Sequence, residues 1–304
     1  MRVNPACQTS TQFCGALRPA WTIAPVSVEH YENFPVASIL CPPALRPAVQ
    51  AIYWFARTAD DIADEGNAAP AQRLADLAAY RADLASVARG APASPRWQRI
   101  FAPLARMIET HRLPIPLLAD LLSAFEQDVT VQRYADRAQL LDYCRRSANP
   151  VGRLLLHLYG INDAPALARS DAICSSLQLI NFWQDLSIDL PRGRVYVPQE
   201  DSARHGVSEA ALLARQDDAA ARALVADLCT WARALMLQGA PLVHAVPGRA
   251  GWELRLVVQG GLRIAEKIAA MHFASLSQRP RLTALDGPRL LWRAWRMTRP
   301  GPAA

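Results

Sequence analysis

The sequence predicts an all-α fold, and three of its features support that prediction. Alanine and leucine dominate a composition that is 51% hydrophobic, whereas the β-branched residues that favour strands are sparse. Apolar residues recur at helical spacing, and no alternating pattern of useful strand length occurs; residues 195–198 come nearest to one. Proline and glycine punctuate the helical segments without any long linker. We therefore expect one large domain of about ten or more helices.

The predicted helices follow a proline-rich segment, residues 1–28, which we expect to form a loose arm. The first helix runs from Pro47 to near Gly66, and the second covers 73–90 and stops at a glycine. Further helices are predicted over 96–111, 114–129, 136–147, 150–160, 165–189, 208–238 and 251–274. A last segment, 282–304, combines arginine with tryptophan. It is suited either to an anionic membrane surface or to docking on the domain, and both alternatives stay open.

Charge and cysteine usage narrow the class of protein. The formal net charge is +6, and all 33 basic residues except Lys267 are arginine, which binds phosphate groups in bidentate fashion. No nucleic-acid-binding pattern stands out, so we expect no nucleic-acid partner.

The six cysteines form no CxxC pair and are expected to be free thiols in a reducing cytoplasm. With no apolar run long enough for a span and no signal peptide, we expect a cytoplasmic protein.

The first helix carries an acidic face in an apolar sequence. Asp64 stands four residues after Asp60 and three after Asp61, so the carboxylates share a face, with Arg57 one turn and Tyr53 two turns earlier. Like charges at this spacing repel each other, and buried carboxylates are costly unless something positive meets them. A solvated helix face is the bland alternative. The favoured interpretation is that arginine or a divalent metal ion compensates these charges.

A second stripe of oxygen ligands lies near residue 185. Gln178, Asn181, Asp185 and Asp189 step by three, four and four residues, and so lie on one side of the predicted 165–189 helix. Carboxylate and amide oxygens suit Mg²⁺ rather than zinc, and two such stripes on apolar helices suit a metal-clamped diphosphate. Ionisation of an allylic diphosphate needs this charge stabilisation together with an apolar, dry cavity.

At these residues the chain resembles the squalene/phytoene synthase family, over residues from about 30 to 281. The resemblance rests on YWFARTADDIADEG at 53–66 and NFWQDLSIDLPRGRVYVPQED at 181–201. It is extended by HYENFPVAS at 30–38, RRSANPVGRLLL at 145–156 and ELRLVVQGGLRIAEKI at 253–268. It implies an isoprenoid-synthase fold over 29–281, a single helical bundle around a central apolar cavity. The last three runs are most similar to the bacterial subgroup that converts presqualene diphosphate to hydroxysqualene in hopanoid biosynthesis.

The resemblance also implies roles for individual residues and for partners. Asp60, Asp64, Asp185 and Asp189 would bind Mg²⁺ and diphosphate, with Asp61 assisting. Arg57 would contact the diphosphate, and Gln178 and Asn181 would complete the polar wall. Tyr143, Asn149, Asp64 and Asp185 would take part in catalysis. Two further assignments rest on position: Tyr53 shares the acidic face and would bind substrate, and Arg192 and Arg194 follow the second motif and would either bind the diphosphate or stay at the surface. The substrate would be a prenyl diphosphate, and pathway enzymes would supply presqualene diphosphate and use hydroxysqualene. Peripheral contact with the inner face of the membrane would suit so apolar a product.

Two rival functions and one departure remain open. The first rival is head-to-head condensation of two farnesyl or geranylgeranyl diphosphates to presqualene diphosphate, squalene, dehydrosqualene or phytoene. The second is a non-catalytic assembly or scaffold member of the family, which the intact aspartates argue against. The departure is the pair Gly260–Gly261, where dehydrosqualene-type members tend to carry tyrosine. Glycine inside a helix costs about 1 kcal/mol against alanine, so the pair indicates either close packing or room for substrate.

Overall fold

The computed structural model describes residues 41–297, and throughout that range the chain is helical, without a β-strand. The helices are α1 Arg46–Asp64, α2 Pro70–Ala88, α3 Gln98–His111, α4 Ile115–Asp128, α5 Arg137–Ser147, α6 Asn149–Leu158, α7 Ala164–Gln184, α8 Leu186–Asp189, α9 Gln199–Arg204, α10 Glu209–Leu213, α11 Ala219–Gly239, α12 Gly248–Ala270 and α13 Gly287–Arg296. Short loops and 3₁₀ turns connect them. The all-α prediction is confirmed. The predicted arm at 1–28 and the run at 30–38 lie outside the described residues.

Two apolar clusters form the core of this bundle. One lies among α1 to α4, where Phe55 stacks on Tyr80 at 5.4 Å between ring centroids and meets the edge of Phe101 at 5.9 Å. The other joins α5, α6, α7, α11 and α12 around the fully buried Trp183. Burying a large apolar side chain is worth roughly 1.5–3 kcal/mol. These two clusters therefore fix the positions of α1 and α7, the helices that carry the acidic motifs.

One member of the glycine pair in α12, Gly261, lies where helices pack closely. A Cβ atom at Gly261 would lie 2.9 Å from Leu177 Cδ2 of α7 and 2.9 Å from Met236 Cε of α11, which is too close for an unshifted side chain. Gly260 has more space, with Leu282 Cδ1 at 3.9 Å. The structure thus supports the packing alternative at Gly261.

The helix predicted over 165–189 is wrong in one respect, because it is interrupted at Asp185. Helix α7 ends at Gln184, and Asp185 has φ −101° and ψ 10°. The N–H of Ser187 donates to the carbonyl of Ser275 at 3.1 Å rather than to the preceding turn. Asp189 N–H still donates to Asp185 O at 2.9 Å, so α8 resumes after the break. The second acidic stripe therefore bends between its third and fourth members.

The helix predicted over 208–238 is also wrong, since it is two helices, α10 and α11. Arg215 has a left-handed backbone with φ 52°, which ends the helical path. The Asp218 carboxylate then accepts a hydrogen bond from Ala221 N–H at 2.8 Å and caps the start of α11.

An apolar cavity of about 110 Å³ opens between α1, α6, α7 and α12. Its walls include Val49, Val151, Leu155, Ile173, Leu177 and Leu254. The prediction of a helical bundle around an apolar cavity is confirmed. None of the helices within residues 41–297 is long and apolar enough to cross a membrane. Cys41, Cys144, Cys174 and Cys229 are free thiols as expected, whereas Cys7 and Cys14 lie outside the described range.

Candidate active site

The acidic face of α1 is neutralised in part by an arginine one turn before it. Helix α1 buries Ile52, Phe55 and Ala59, which leaves the opposite side for polar residues. Arg57 Nη1 lies 3.3 Å from Asp60 Oδ2, and its Nη2 lies 2.7 Å from Asp61 Oδ1. Burial raises the pKa of Asp60 even though Arg57 opposes that shift.

Arg194 connects the second motif to the first. Its guanidinium forms an ion pair with Asp64 of α1, and its backbone N–H donates to Asp189 O at 3.1 Å. The chain turns at Gly193 just before Arg194, with a φ of 78° that glycine adopts without strain. The structure thus brings the Asp64 and Arg194 side chains together, and Asp189 meets Arg194 through its backbone carbonyl. Arg192 is exposed and forms no ion pair with any residue in the described part of the chain.

Asp185 is a buried carboxylate with two polar neighbours. Asn181 Nδ2 donates to its Oδ2 at 3.3 Å, one turn earlier on α7. Arg279 binds both carboxylate oxygens, with its Nη2 2.9 Å from Oδ2. Gln178, a further turn back, is half-buried. Arg279 was not predicted, because it comes from the irregular segment that follows α12, and no local pattern marks it.

A further carboxylate, Asp128, lies close enough to Asp60 to feel its charge, and sequence reasoning missed it. It is the last residue of α4, and its Oδ2 accepts a hydrogen bond from the Tyr143 hydroxyl at 3.1 Å. Its buried Oδ1 has no hydrogen-bond partner among the described residues. Burial raises the pKa of Asp128 to about 7, and the negative charge of Asp60 adds to that rise. One signal could have found it, since a carboxylate in the last turn of an apolar helix opposes the helix dipole.

The Tyr143 ring belongs to a cluster of aromatic rings. Phe182 of α7 stacks on Tyr196 at 3.8 Å between centroids, and each of these rings lies 6.2 Å from Tyr143. Burial raises the pKa of Tyr143 well above 10, so its hydroxyl remains protonated and donates. Aromatic faces can also stabilise a nearby cation.

Tyr53 and Asn149, the remaining predicted residues, lie nearer the cavity. Tyr53 is half-buried and stands one turn beyond the cavity-lining Val49 on the same face of α1. Asn149 is buried at the start of α6, where its Oδ1 accepts from Ser175 Oγ at 2.9 Å. Val151 and Gly152, in the same first turn of α6, line the cavity, so Asn149 lies near its wall.

The apolar cavity and the charged cluster share two helices. On α1 the same face runs from Val49 through Arg57 to Asp60, about 16 Å along the axis at 1.5 Å per residue. On α7 the cavity-lining Leu177 and the carboxylate of Asp185, at the end of the helix, are about 12 Å apart along the axis. A molecule with a charged head and long hydrocarbon arms matches this arrangement.

The donor set of the cluster fits a hard divalent cation. Its potential ligands are carboxylate oxygens, which Mg²⁺ prefers. Within residues 41–297 no three His, Cys, Asp or Glu side chains already converge on a common metal position. Arg57, Arg194 and Arg279 instead pair with the carboxylates and supply positive charge there. These arginines are also suitable donors to the oxygens of a phosphate group.

Comparison with known proteins assigns the chain to a family. A squalene/phytoene synthase profile matches residues 28–286, so the chain belongs to the squalene/phytoene synthase family. It is 35% identical over 241 residues to a hydroxysqualene synthase from Sinorhizobium fredii, covering 79% of each chain. It is 33% identical over 257 residues to a hydroxysqualene synthase from Rhodopseudomonas palustris, covering 84% of this chain and 85% of that one.

A solved structure supports the same assignment. The crystal structure of squalene synthase HpnC from Alicyclobacillus acidocaldarius superposes with a TM-score of 0.74 at 36% identity. The match covers 80% of this chain and 90% of that one. The isoprenoid-synthase fold expected from the sequence is thereby confirmed.

Proposed function

We propose that this enzyme converts presqualene diphosphate to hydroxysqualene and diphosphate. The observation that carries the proposal is the cluster of carboxylates and arginines at the C-terminal ends of α1 and α7. Earlier turns of the same two helices line an apolar cavity. The similarity to two hydroxysqualene synthases over about four fifths of the chain supports this substrate and product.

The reaction requires three events in one site. The C–O bond to the diphosphate breaks, and its electron pair leaves with the diphosphate. The resulting carbocation opens its cyclopropane ring as it rearranges. A water oxygen then forms the new C–O bond and releases a proton. No electrons are gained from outside, so no reductant is consumed.

Arginines would bind the diphosphate leaving group, and carboxylates would hold the metal ion beside it. Arg57, Arg194 and Arg279 have the charge and geometry to bind diphosphate oxygens, whereas Arg192 would have to move inward from the surface. Asp60, Asp61, Asp64, Asp185 and Asp189 would hold Mg²⁺. When bound, Mg²⁺ supplies positive charge against the charge that builds on the departing diphosphate. Gln178 and Asn181 would complete the polar wall.

Tyr143 and Asn149 would act where the cation is formed and quenched. The Tyr143 hydroxyl is oriented by Asp128, and its ring belongs to an aromatic wall. Asn149 is held by Ser175 beside the apolar cavity. Apolar walls exclude bulk water, so that the cation rearranges before it meets the quenching water.

The same chemistry implies two partner enzymes and a working environment. One enzyme must supply presqualene diphosphate, and another must consume hydroxysqualene. Because substrate and product carry long hydrocarbon chains, work at a membrane surface is favoured.

Product analysis by mass spectrometry tests the proposed reaction. Purified protein with Mg²⁺ receives presqualene diphosphate, or farnesyl or geranylgeranyl diphosphate in parallel tubes, with and without NADPH. We expect a C30 alcohol from presqualene diphosphate that does not depend on NADPH. Asp64→Ala and Asp185→Ala should abolish it, while Asp76→Ala, at an exposed ion pair with Arg96, should leave it unchanged.

Other outcomes would reassign the protein. A hydrocarbon formed from farnesyl or geranylgeranyl diphosphate would indicate head-to-head condensation. No product from any of these substrates would favour an assembly or scaffold role. Neither alternative is favoured by a feature of the site.

A further inference from the structure

Helix α13 has one face docked on the protein and another face turned to solvent. Ala294 is fully buried, and its carbonyl accepts a hydrogen bond from Arg255 Nη1 of α12 at 3.2 Å. Arg293 is tied to Glu266 of α12 at 2.5 Å. These contacts fix the rotation of the helix about its axis, so the composition of its outer face is determined by the fold.

That outer face is apolar and aromatic. Leu291 is 58% exposed, Trp292 53% and Trp295 69%, and Leu285, in the 3₁₀ turn just before the helix, is 90% exposed. Trp292 and Trp295 stand three residues apart and therefore share one side of the helix. Such a concentration of large apolar side chains is unusual on a surface that meets only water.

The outer face and the layer beneath it carry excess positive charge. Arg263, Lys267, Arg289 and Arg293 pair with two carboxylates, Glu266 and Asp286, where α13 meets α12. With Arg296 on the outer face, five cations stand against these two carboxylates, an excess of three positive charges. The Arg296 guanidinium lies 4.7 Å above the Trp292 ring. Its long side chain can keep the charge at the level of the lipid headgroups while the ring enters the apolar boundary.

We propose that the outer face of α13 binds an anionic lipid membrane surface, with Trp292 and Trp295 inserted at the interface and Arg289 and Arg296 facing the headgroups. A ten-residue helix is about 15 Å long, which suits a helix lying in the interface. Its exposed apolar side chains offer roughly a few hundred Å², below the roughly 800 Å² per partner of a stable protein interface. The combination of tryptophan with arginine matches an anionic bilayer.

The proposed membrane face is one helix away from the apolar cavity. Ala250, Leu254 and Val257 of α12 line the cavity, while Arg255 and Glu266 of the same helix contact α13. The inference goes beyond the proposed reaction and does not depend on it, because membrane binding is measured without substrate.

Vesicle co-sedimentation of the full chain tests the membrane face. The wild-type protein should pellet with vesicles containing phosphatidylglycerol and not with pure phosphatidylcholine, and salt should weaken the binding. Trp292→Ser with Trp295→Ser should weaken it by about tenfold or more, because the inserted area is lost. Circular dichroism and thermal unfolding would verify that this exposed double variant is folded.

A charge-matched pair of variants separates a specific face from general attraction. Arg289→Gln with Arg296→Gln should weaken binding by about tenfold or more, since each arginine near the surface contributes about fivefold. Arg99→Gln with Arg106→Gln removes the same charge from exposed sites on α3 and should keep the wild-type affinity.

Three results would overturn the proposal. They are absence of binding by the wild type, equal loss in the α3 control, and full binding by the double tryptophan variant. If the tryptophan variant instead turns a dimer into a monomer in size-exclusion chromatography while vesicle binding is absent, the face is a protein interface.

Discussion

The Asp128 side chain illustrates how one residue can cost stability in a functional site. An ordinary aspartate has a pKa near 3.9, whereas burial raises that of Asp128 to about 7. Between these two pH values the folded state binds this proton more tightly than the unfolded state, so folding stability falls as pH rises through the window. A difference of about three units corresponds to about 4 kcal/mol at most. Tyr143 and Arg146 reduce the cost, and Asp60 increases it.

We predict that Asp128→Asn stabilises the protein most above about pH 7, and that this gain shrinks as the pH falls from about 7 to about 4, below which the wild-type carboxyl is protonated in both the folded and the unfolded state. The asparagine oxygen can still accept from the Tyr143 hydroxyl. Urea unfolding at about pH 5 and about pH 8 measures the difference. Turnover should fall by about tenfold or more, since a costly buried carboxylate is typical of a functional site.

Asp76→Asn provides the control for this prediction. Asp76 forms an ion pair with Arg96 on the exposed side of α2, where the Arg96 hydrogen bond lowers its pKa. Its replacement should leave turnover unchanged and should not stabilise the protein at high pH. An equal pH dependence in Asp128→Asn and wild type would contradict the assignment of the cost to Asp128.

Arg279 is the second residue whose role can be tested directly. We predict that Arg279→Gln lowers the Tm, because Asp185 then remains buried without its counterion. Mg²⁺ should raise the Tm of this variant more than that of the wild type if the same carboxylate binds the metal. Differential scanning fluorimetry with and without Mg²⁺ measures both effects.

Arg281→Gln is the matched control, since Arg281 is exposed two residues further along the chain. It should behave as the wild type does in both conditions. If Mg²⁺ shifts Arg279→Gln and wild type equally, Asp185 is not the carboxylate at which metal replaces arginine.

At the scale of elements, the packing of α12 against α7 and α11 depends on Gly261. We predict that Gly261→Leu destabilises the protein by about 1–3 kcal/mol, the usual cost of overpacking. Gly260→Ala should stabilise it by about 0.5–1 kcal/mol, because the site has space and alanine favours helix. Urea unfolding of both variants measures these opposite signs. Tolerance of leucine at Gly261 would indicate that the helices can separate there at little cost.

The helices could be predicted because their periodicity is local, whereas their interruptions could not all be found this way. At the break near Asp185, the N–H of Ser187 donates to the carbonyl of Ser275, and no sequence pattern near Asp185 predicts this distant contact. The break before α11 had a local signal, since Asp218 is a standard N-cap residue. The apolar periodicity continues across Asp218, so the sequence pattern predicts one helix over 208–238 despite this N-cap signal.

The acidic residues of the site were predictable for the same reason, and their counterions were only partly so. Arg57 stands one turn from Asp60 and is visible in the spacing. Arg279 reaches Asp185 from 94 residues away through an irregular segment, so only the three-dimensional structure reveals it. In the sequence Asp128 has no acidic or arginine neighbour at helical spacing that would mark it as a site residue. Its proximity to Tyr143 and Asp60 is evident only in the structure.

At the scale of the whole molecule, the charged cluster should couple ligand binding to global stability. We predict that Mg²⁺ with inorganic pyrophosphate raises the Tm by several degrees. A ligand at one hundred times its Kd stabilises by about 2.7 kcal/mol. Scanning calorimetry with each ligand alone and with both together measures the effect.

The paired variant Asp60→Asn with Asp185→Asn should abolish the joint shift, because it removes a carboxylate from each motif. Asp76→Asn should retain it. A full shift in the paired variant would mean that the ligands bind elsewhere on this arginine-rich surface.

The ion pair between Asp64 and Arg194 also bears on how the chain acquires its site during synthesis. The two residues are 130 positions apart. At about 5–20 residues per second, the ribosome needs roughly 7 to 26 seconds to add that length. Throughout this interval the mutually repelling aspartates of α1 lack this cation. We therefore expect the nascent N-terminal half to remain loosely folded around α1. The charged cluster should form only after the second acidic motif and Arg194 have emerged from the ribosome.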